Sequence, residues 1–356
     1  IATNVAGTKI YRAQVTSGVC AAVQSEEIVV RVDAETVAGS IASASNLICN
    51  GSTPPTITLT GNTGSTIKWQ TRLASATYVD PIASQTGSSI SSVVNNIAPA
   101  SSQVVNYYQA IVKSGACNPL TTNEVAVAVD PSSKVGLIEP LQKNQEICIG
   151  SSATSIVLPS HTGTIQWQAA NLGGTYTDMT GLTNASLLFG NIPTNVAGTK
   201  IYRAQVTSGV CPAIYSEVAS IQVDAATVAG TIASSSDLIC NGSTPPTISL
   251  TGNTGSTLQW RTRRGSAGYV DPIPSQSGTS ISSVVNNSAP GTVQIVDYYQ
   301  AIVKSGVCNS LTTNEVAVAI DPTSKVGLIE PLQKNQEVCI GSSATSIVLP
   351  SHTGTI

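Results

Sequence analysis

The chain has 356 residues and a formal net charge of -3, with only 10% charged and 4% aromatic residues. This charge balance excludes the basic footprint of a nucleic-acid-binding protein, and no apolar run approaches the roughly 18 residues of a membrane span. We therefore expect neither nucleic acid nor a membrane-spanning segment.

Strand and turn patterns follow one another along the chain. After a first block of strands up to Asp33, a Cys and Gly-Ser lead from Leu47 into an alternating strand, a Gly-containing turn and a strand carrying Trp69. The block closes with the run VAVAVD from Val125, whose period of two places its valines on one face. Turn residues such as those of TGNTG from Thr60 separate the strands. No window shows helical periodicity with caps, so we predict an all-β chain.

The pattern repeats on two scales. Residues 1–165 return almost unchanged as residues 192–356, and the stretch VGLIEPLQKNQE begins at Val135 and again at Val326. Each repeat divides again, because LICNGSTPPTITLTGNTGSTIKWQ from Leu47 aligns with EICIGSSATSIVLPSHTGTIQWQ from Glu146. Self-similarity at a fixed period is typical of an array. We predict whole modules at 34–130, 131–224 and 225–321, the end of a module at 1–33 and the start of another at 322–356, and we expect a longer repetitive protein around them.

Short strands around one tryptophan and two cysteines indicate immunoglobulin-like β-sandwiches, arranged in tandem in an extended array. We expect the single tryptophan of each module to be its central core residue: Trp69, Trp167 and Trp260.

The order of motifs resembles a family. Cys, Gly-Ser, strand, Trp-Gln, Tyr-x-Asp, then Tyr-Tyr-x-Ala-x-Val-x-Ser-Gly-x-Cys and a Val-rich strand are similar to the Ig-like or PKD-like tandem repeats of giant surface proteins of gliding bacteria, many of them exported by type IX secretion. The resemblance implies a tandem-repeat extracellular protein, often an adhesin or appendage, and supplies no catalytic residues.

The eight cysteines predict disulfides, because none forms a C-x-x-C pair or a zinc-ligand cluster. Disulfides indicate an oxidising, extracellular location, and the resemblance implies the cell surface. We prefer pairing within modules, Cys49–Cys117, Cys148–Cys211 and Cys240–Cys308, because every whole module carries one cysteine of each kind. In a plain immunoglobulin topology, however, these two positions could lie near opposite ends. The alternative links neighbours: Cys20–Cys49, Cys117–Cys148, Cys211–Cys240 and Cys308–Cys339.

Catalytic chemistry has no support in the residues. The two histidines, His161 and His352, are one turn position in two repeat copies, so no Ser-His-Asp or Cys-His arrangement can form. We expect no catalytic residue, no cofactor and no metal site. The aspartates that end the modules could hold calcium, but few other carboxylates lie near them in sequence, and calcium takes six to eight oxygens: Asp33, Asp130, Asp224 and Asp321.

Three further features have competing interpretations. The Tyr-x-Asp motif predicts an Asp that caps turn amides rather than a ligand contact: Tyr78/Asp80, Tyr176/Asp178 and Tyr269/Asp271. The run Arg261, Arg263, Arg264 predicts a charged strand edge that blocks unwanted pairing, or else a contact with anionic polysaccharide. Apolar residues in the linker predict packing on a module or a neighbouring chain: Val135, Leu137, Ile138 and Leu141.

The sequence therefore favours a structural and adhesive segment of a long extracellular filament, stalk or appendage. Its expected partners are other copies of itself, in tandem and laterally, and a cell-surface or polysaccharide target. The alternative is a spacer or carbohydrate-binding array of a secreted multidomain enzyme.

Overall fold

A computed structural model of the chain describes residues 3–79, 85–270, 276–330 and 334–356. The fold is all-β, with three repeated β-sandwich-like modules, as the sequence predicts. No helix in these residues is long and apolar enough to cross a membrane. The chain divides into two compact units: Ile1–Glu139, Ile156–Leu187 and Tyr202–Ala219 form one, and Pro140–Ser155, Leu188–Ile201 and Ser220–Ile356 form the other.

The strands follow the repeat. The leading segment contains β1 (Gly7–Tyr11), β2 (Gln14–Val15), β3 (Val23–Gln24) and β4 (Ile28–Val32). The first module contains β5 (Ser40–Ser43), β6 (Leu47–Cys49), β7 (Ile57–Thr60), β8 (Ser65–Leu73), β9 (Ser89–Ile90), β10 (Val104–Lys113), β11 (Leu120–Thr121) and β12 (Val125–Asp130).

The second module contains β13 (Lys134–Val135), α1 (Pro140–Lys143), β14 (Asn144–Cys148), β15 (Ile156–Val157), β16 (His161–Thr162), β17 (Thr164–Asn171), β18 (Thr177–Asp178), β19 (Ser186–Leu187), a 3-10 turn (Phe189–Asn191), β20 (Gly198–Thr207), β21 (Ile214–Tyr215) and β22 (Ala219–Asp224). The third contains β23 (Thr231–Ser234), β24 (Leu238–Cys240), β25 (Ile248–Thr251), β26 (Ser256–Arg264), β27 (Ser280–Ile281), β28 (Ile295–Lys304), β29 (Leu311–Thr312) and β30 (Val316–Asp321).

The first module shows the sandwich plan. One sheet has the order β5-β7-β9, and the other has the order β11-β10-β12-β6 with β8 also paired to β10. Most pairs are antiparallel, but β6 runs parallel to β12, with Leu47 opposite Ala128 and Cys49 opposite Asp130. The third module repeats this arrangement, with β24 parallel to β30.

The tryptophans lie at the centres of their modules, where we expected them. Trp69, Trp167 and Trp260 are each 0% exposed. The Trp69 indole N–H donates to the carbonyl oxygen of Gly87 at 3.0 Å. This bond gives a partner to the one polar atom of the buried side chain. Tyr108 on β10 is also buried, and its hydroxyl accepts a hydrogen bond from the Asn95 amide at 2.8 Å.

The linker differs in part from expectation. Ile138 is buried, at 2% exposure, but Leu137 and Leu141 are 71% and 90% exposed. The prediction of packing on a module is therefore wrong for both leucines, and packing on a neighbouring chain stays a prediction. The short helix α1, which contains Leu141, has no buried residues and so has no apolar face packed on the module.

Replacing Trp69 with alanine should destabilise the first module by about 3–5 kcal/mol, because a fully buried indole leaves a cavity. Hydrogen exchange read by mass spectrometry should show faster exchange of β10 amides, while β28 of the third module, whose Trp260 is intact, serves as an internal control. Unchanged protection of β10 would contradict the central role of Trp69.

Candidate functional site: the junction between modules

One cysteine of each module lies where the module ends. Cys49 closes β6 and pairs in register with Asp130, the last residue of β12. Cys148 stands opposite Asp224, and Cys240 stands opposite Asp321, in the same parallel pairing. We call Cys49, Cys148 and Cys240 the exit cysteines, since each lies beside the residue by which the chain leaves the module.

The other cysteine of each module lies in a tight turn after its longest strand. In each turn the cysteine amide donates to the carbonyl of the serine three residues earlier, as from Cys211 to Ser208 at 2.9 Å. We call the three residues of this kind the entry cysteines: Cys117, Cys211 and Cys308. Cys20 occupies the same place in the leading segment, where its amide donates to Ser17.

Two disulfides join an exit cysteine to an entry cysteine of the following module. Cys49 bonds Cys211, and Cys148 bonds Cys308, with Cα–Cα distances of 4.9 Å and 4.8 Å. The predicted pairs Cys49–Cys117, Cys148–Cys211 and Cys240–Cys308 are therefore wrong. The alternative pairing of neighbouring cysteines is also wrong for the bonded cysteines. Cys211 and Cys308 each bond a cysteine of the preceding module and not the cysteine nearest in sequence.

Strand direction explains the correction. Val104 at the start of β10 pairs with Val129, beside Asp130 and hence beside Cys49. From there β10 runs to Lys113 and carries Cys117 to the other end of the module. Ten residues of strand span about 30 Å, whereas the Cα atoms of a disulfide lie at most about 7 Å apart. The two cysteines of one module therefore cannot meet.

An aspartate binds the entry turn at three junctions, two of which also carry a disulfide. The Asp130 carboxylate accepts a hydrogen bond from the Val210 amide at 3.0 Å and another from the Gln103 side chain at 2.7 Å. Asp33 and Asp224 accept in the same way from Ala116 and Val307, each at 2.8 Å. Three of the four aspartates weighed in the sequence as calcium ligands thus bind the entry turn of the next module: Asp33, Asp130 and Asp224.

Hydrogen bonds lower the pKa of the Asp224 carboxyl below its ordinary value, chiefly through the Gln222 side chain and then through the Val307 amide. Because both bonds favour the ionised form, this contribution to stability is present above the ordinary carboxyl pKa. It is lost as the pH falls through the lowered value.

A glycine makes room for each aspartate. The turn glycines Gly115, Gly209 and Gly306 have φ values of +47°, +50° and +45°, and a Cβ added to them would lie within 1.9 Å of the carboxylate of Asp33, Asp130 and Asp224. The glycine that precedes each entry cysteine by two residues therefore has two functions. It permits the left-handed backbone, and it allows the preceding module to approach.

The two disulfides overlap along the sequence. Cys49–Cys211 spans a separation of 162 residues and Cys148–Cys308 spans 160, and the second begins inside the first. If the backbone is cut at any one place between Cys49 and Cys308, another covalent route remains through one of the disulfides. The chain is thus a covalent ladder over this range, which modules closed only by internal disulfides would not form.

A second repeated feature is an arginine stacked on tyrosines, which the sequence analysis did not find. The Arg72 guanidinium lies 3.9 Å from the ring centre of Tyr107 and 5.4 Å from that of Tyr78. Arg263 makes the same contacts with Tyr298 and Tyr269, and Arg203 makes them with Tyr176 and Tyr215. In the second module the arginine lies on β20 rather than on β17, the counterpart of β8, so no fixed sequence position indicates the cluster.

The cluster of the third module contains a perturbed tyrosine. Burial, and then a hydrogen bond from its hydroxyl to Glu315, raises the pKa of Tyr269 to about 12. Glu315 also pairs with Arg263 at 2.8 Å. The hydrogen bond from Tyr269 is the main reason that the pKa of Glu315 lies below its ordinary value.

The arginine run is more than a charged edge. Strand β26 does lie at the edge of its sheet, but Arg264 pairs with Asp297 at 3.0 Å, and Asp297 is 4% exposed. In the first module the corresponding positions, opposite each other on β8 and β10, are Leu73 and Asn106. The two copies have thus exchanged a neutral pair for a charged pair.

The Tyr-x-Asp motif divides between described and undescribed residues. Asp80 and Asp271 lie outside the described residues. Asp178 belongs to β18 and accepts a hydrogen bond from the Gln168 side chain at 2.8 Å, so the prediction that it caps turn amides is wrong at this position. The tyrosines of the motif, Tyr78, Tyr176 and Tyr269, are among those that stack on arginine.

These features define a tandem array of immunoglobulin-like β-sandwiches with disulfides between consecutive modules. The chain belongs to the family described as Domain of unknown function (DUF8696), whose model matches residues 37–131, 139–225 and 228–322. A search of curated proteins found no match.

Solved structures of several tandem-domain proteins align with the chain at low identity and low TM-score. The chicken CNTN1 FN1-FN3 domains align at 10% identity and a TM-score of 0.26, over 80% of this chain and 98% of theirs. Mouse cadherin-23 EC22-24 aligns at 12% identity and a TM-score of 0.34, over 80% and 99%. A calcium-stabilised, ice-binding adhesin of an Antarctic bacterium aligns at 13% identity and a TM-score of 0.28, over 83% and 77%.

Replacing Gly209 with alanine should weaken the first junction, because the new Cβ would overlap the Asp130 carboxylate at 1.8 Å. Gly18→Ala is the matched control: its φ is +55°, but no other atom lies within 4 Å of its added Cβ. We expect the rate of Cys49–Cys211 formation during oxidative refolding to fall at least tenfold for Gly209→Ala and to change little for Gly18→Ala. Equal rates would show that close approach of Asp130 does not guide the pairing.

Replacing Glu315 with glutamine should lower the pKa of Tyr269 from about 12 and leave it above its ordinary value, since burial remains. Between about pH 10, the ordinary value, and that raised pKa, the unfolded chain loses the phenolic proton while the folded chain keeps it. Stability therefore falls as the pH rises through this window. Absorbance titration of the phenolate tests the shift, with Glu124→Gln as a control that acts on Tyr78 instead. A Tyr269 titration identical in the Glu315→Gln variant would refute the role of this hydrogen bond.

Proposed function

We propose that the chain is a load-bearing structural and adhesive segment of a long extracellular filament, stalk or surface appendage. The observation that carries this proposal is the disulfide between consecutive modules. A bond of this kind adds nothing to the interior of one sandwich, but it resists separation and bending of two modules.

The overlap of the disulfides supports a mechanical role. Tension that enters before Cys49 and leaves after Cys308 divides between at least two covalent routes at every point between them. Each disulfide also closes a loop of about 160 residues, worth roughly 5 kcal/mol in the chain-entropy model. Because two covalent routes are present, one broken peptide bond or one unfolded strand in this range would leave the filament continuous.

Disulfide-bonded β-domains fit an extracytoplasmic location, because such bonds persist in oxidising compartments. The motif order resembles the repeats of giant surface proteins of gliding bacteria. We propose secretion to the cell surface, by a type IX route.

Other copies of the chain are the proposed lateral partners, and a cell-surface or polysaccharide structure is the proposed target. Repetition supports this role, because a surface presented at regular intervals turns weak contacts into firm attachment.

A tethered single chain with a specific protease site near Leu141, which is 90% exposed, tests the load path. After cleavage, the oxidised chain should keep its tether under force, while the reduced chain should lose it. A site near Val326, which is 83% exposed and lies beyond Cys308, is the control, because a cut there should release the tether in both states. Loss of the oxidised Leu141 tether would overturn the load-bearing proposal.

A glycan array probed with the same oxidised chain tests the proposed polysaccharide target. Specific binding to one class of sugar would support that target, and no binding to any sugar would contradict it.

A further inference from the structure

Four cysteines in the described residues are free: Cys20, Cys117, Cys240 and Cys339. Two of them lie in complete modules at positions whose counterparts in this same chain are bonded. Cys117 is an entry cysteine like Cys211 and Cys308, and Cys240 is an exit cysteine like Cys49 and Cys148. The bonded cysteines thus show that an exit cysteine and an entry cysteine form a disulfide when both are present at a junction.

The surroundings of Cys117 match those of the bonded entry cysteines. Its sulfur lies 3.3 Å from the carbonyl oxygen of Ala34, as the sulfurs of Cys211 and Cys308 lie 3.3 Å from those of Pro131 and Ala225. The preceding turn amide donates to Asp33 as the corresponding amides donate to Asp130 and Asp224. The turn is therefore already held in the bonded geometry.

The surroundings of Cys240 match those of the bonded exit cysteines. The next amide, of Asn241, donates to the carbonyl oxygen of Asp321 at 2.9 Å, as the Asn50 amide donates to Asp130 at 2.8 Å. The Asp321 carboxylate is held by Gln294 at 2.7 Å, as Asp130 is held by Gln103 at 2.7 Å. Both the thiol and the aspartate that bind an entry turn are in place, and Cys240 is exposed.

We propose that Cys240 and Cys117 are the two complementary halves of a further junction. Cys240 forms a disulfide with an entry cysteine of another module of this repeat, and Cys117 forms one with an exit cysteine. The covalent ladder then extends beyond the range from Cys49 to Cys308, through every module that carries both kinds of cysteine.

The bond forms by ordinary thiol–disulfide exchange. The thiolate of one cysteine attacks an oxidised small-molecule or protein disulfide, and the partner thiolate then displaces the carrier. The two cysteines lose two protons and two electrons, and the carrier disulfide is reduced to two thiols. The inference rests on the proposed extracellular location for this oxidant, but it does not depend on adhesion.

Protein collected from its native source without reductant tests the inference. Free thiols are alkylated at harvest, and disulfide-linked peptides are then identified by mass spectrometry. We expect the Cys240 peptide to be unalkylated and joined to a Ser-Gly-x-Cys turn peptide, and the Cys117 peptide to be joined to a peptide of an exit strand. Alkylated Cys240 and Cys117, or bonds joining exit to exit and entry to entry, would overturn the proposal.

Electrophoresis of the same material identifies the source of the partner module. A band that falls to a smaller size on reduction means that the partner is a second copy, whereas an unchanged size means a further module of the same polypeptide. Cys240→Ser expressed in the native source should add one alkylated entry cysteine per chain and leave Cys49–Cys211 bonded. No newly alkylated entry cysteine in this variant would also overturn the proposal. Failure of this pairing would leave the load test above unaffected, because that test involves only the two disulfides already present.

Discussion

The parallel pairing of a short strand with the last strand of its module is the constraint on which the junctions depend. β6 beside β12 places Cys49 at the exit of the first module, next to the aspartate that leads into the second. If β6 paired anywhere else in the sandwich, the cysteine would point to a different end or face. The disulfide requires this pairing, whereas the aspartate contact and the turn glycine also occur at Asp33 and Gly115, where β4 pairs with β1 instead.

Each of the two disulfide-bonded junctions combines an aspartate contact, a turn glycine and a disulfide. The aspartate accepts amides of the following entry turn, and such a charge-assisted bond contributes about 1.5–3 kcal/mol. The turn glycine lets the carboxylate approach closely, and the disulfide then makes the approach permanent. The hydrogen bonds and the disulfide hold the same turn, so both fix the entry cysteine beside the exit cysteine of the preceding module.

The repeat copies show which parts are free to change. Between the first and third modules, Leu73 and Asn106 are replaced by Arg264 and Asp297, which form a salt bridge. The position of the stacked arginine also moves between strands in the second module. The aspartate, the turn glycine and both cysteines are present in all three modules. The sheet faces therefore vary while the junction stays the same.

The sequence by itself determined the all-β class, the tandem array and the buried tryptophans, because these follow from local periodicity and repetition. A period of two indicates a strand wherever it lies, and one large aromatic side chain per module has to be buried. The partners of the cysteines were decided only by the tertiary structure. The bonded pairs are 162 and 160 residues apart, much farther than the two cysteines of one module, so sequence distance favoured the wrong pairs. The direction of β10 and the parallel register of β6 place the two cysteines of one module at its opposite ends. The exit cysteine of one module then lies beside the entry cysteine of the next module, so Cys49 bonds Cys211.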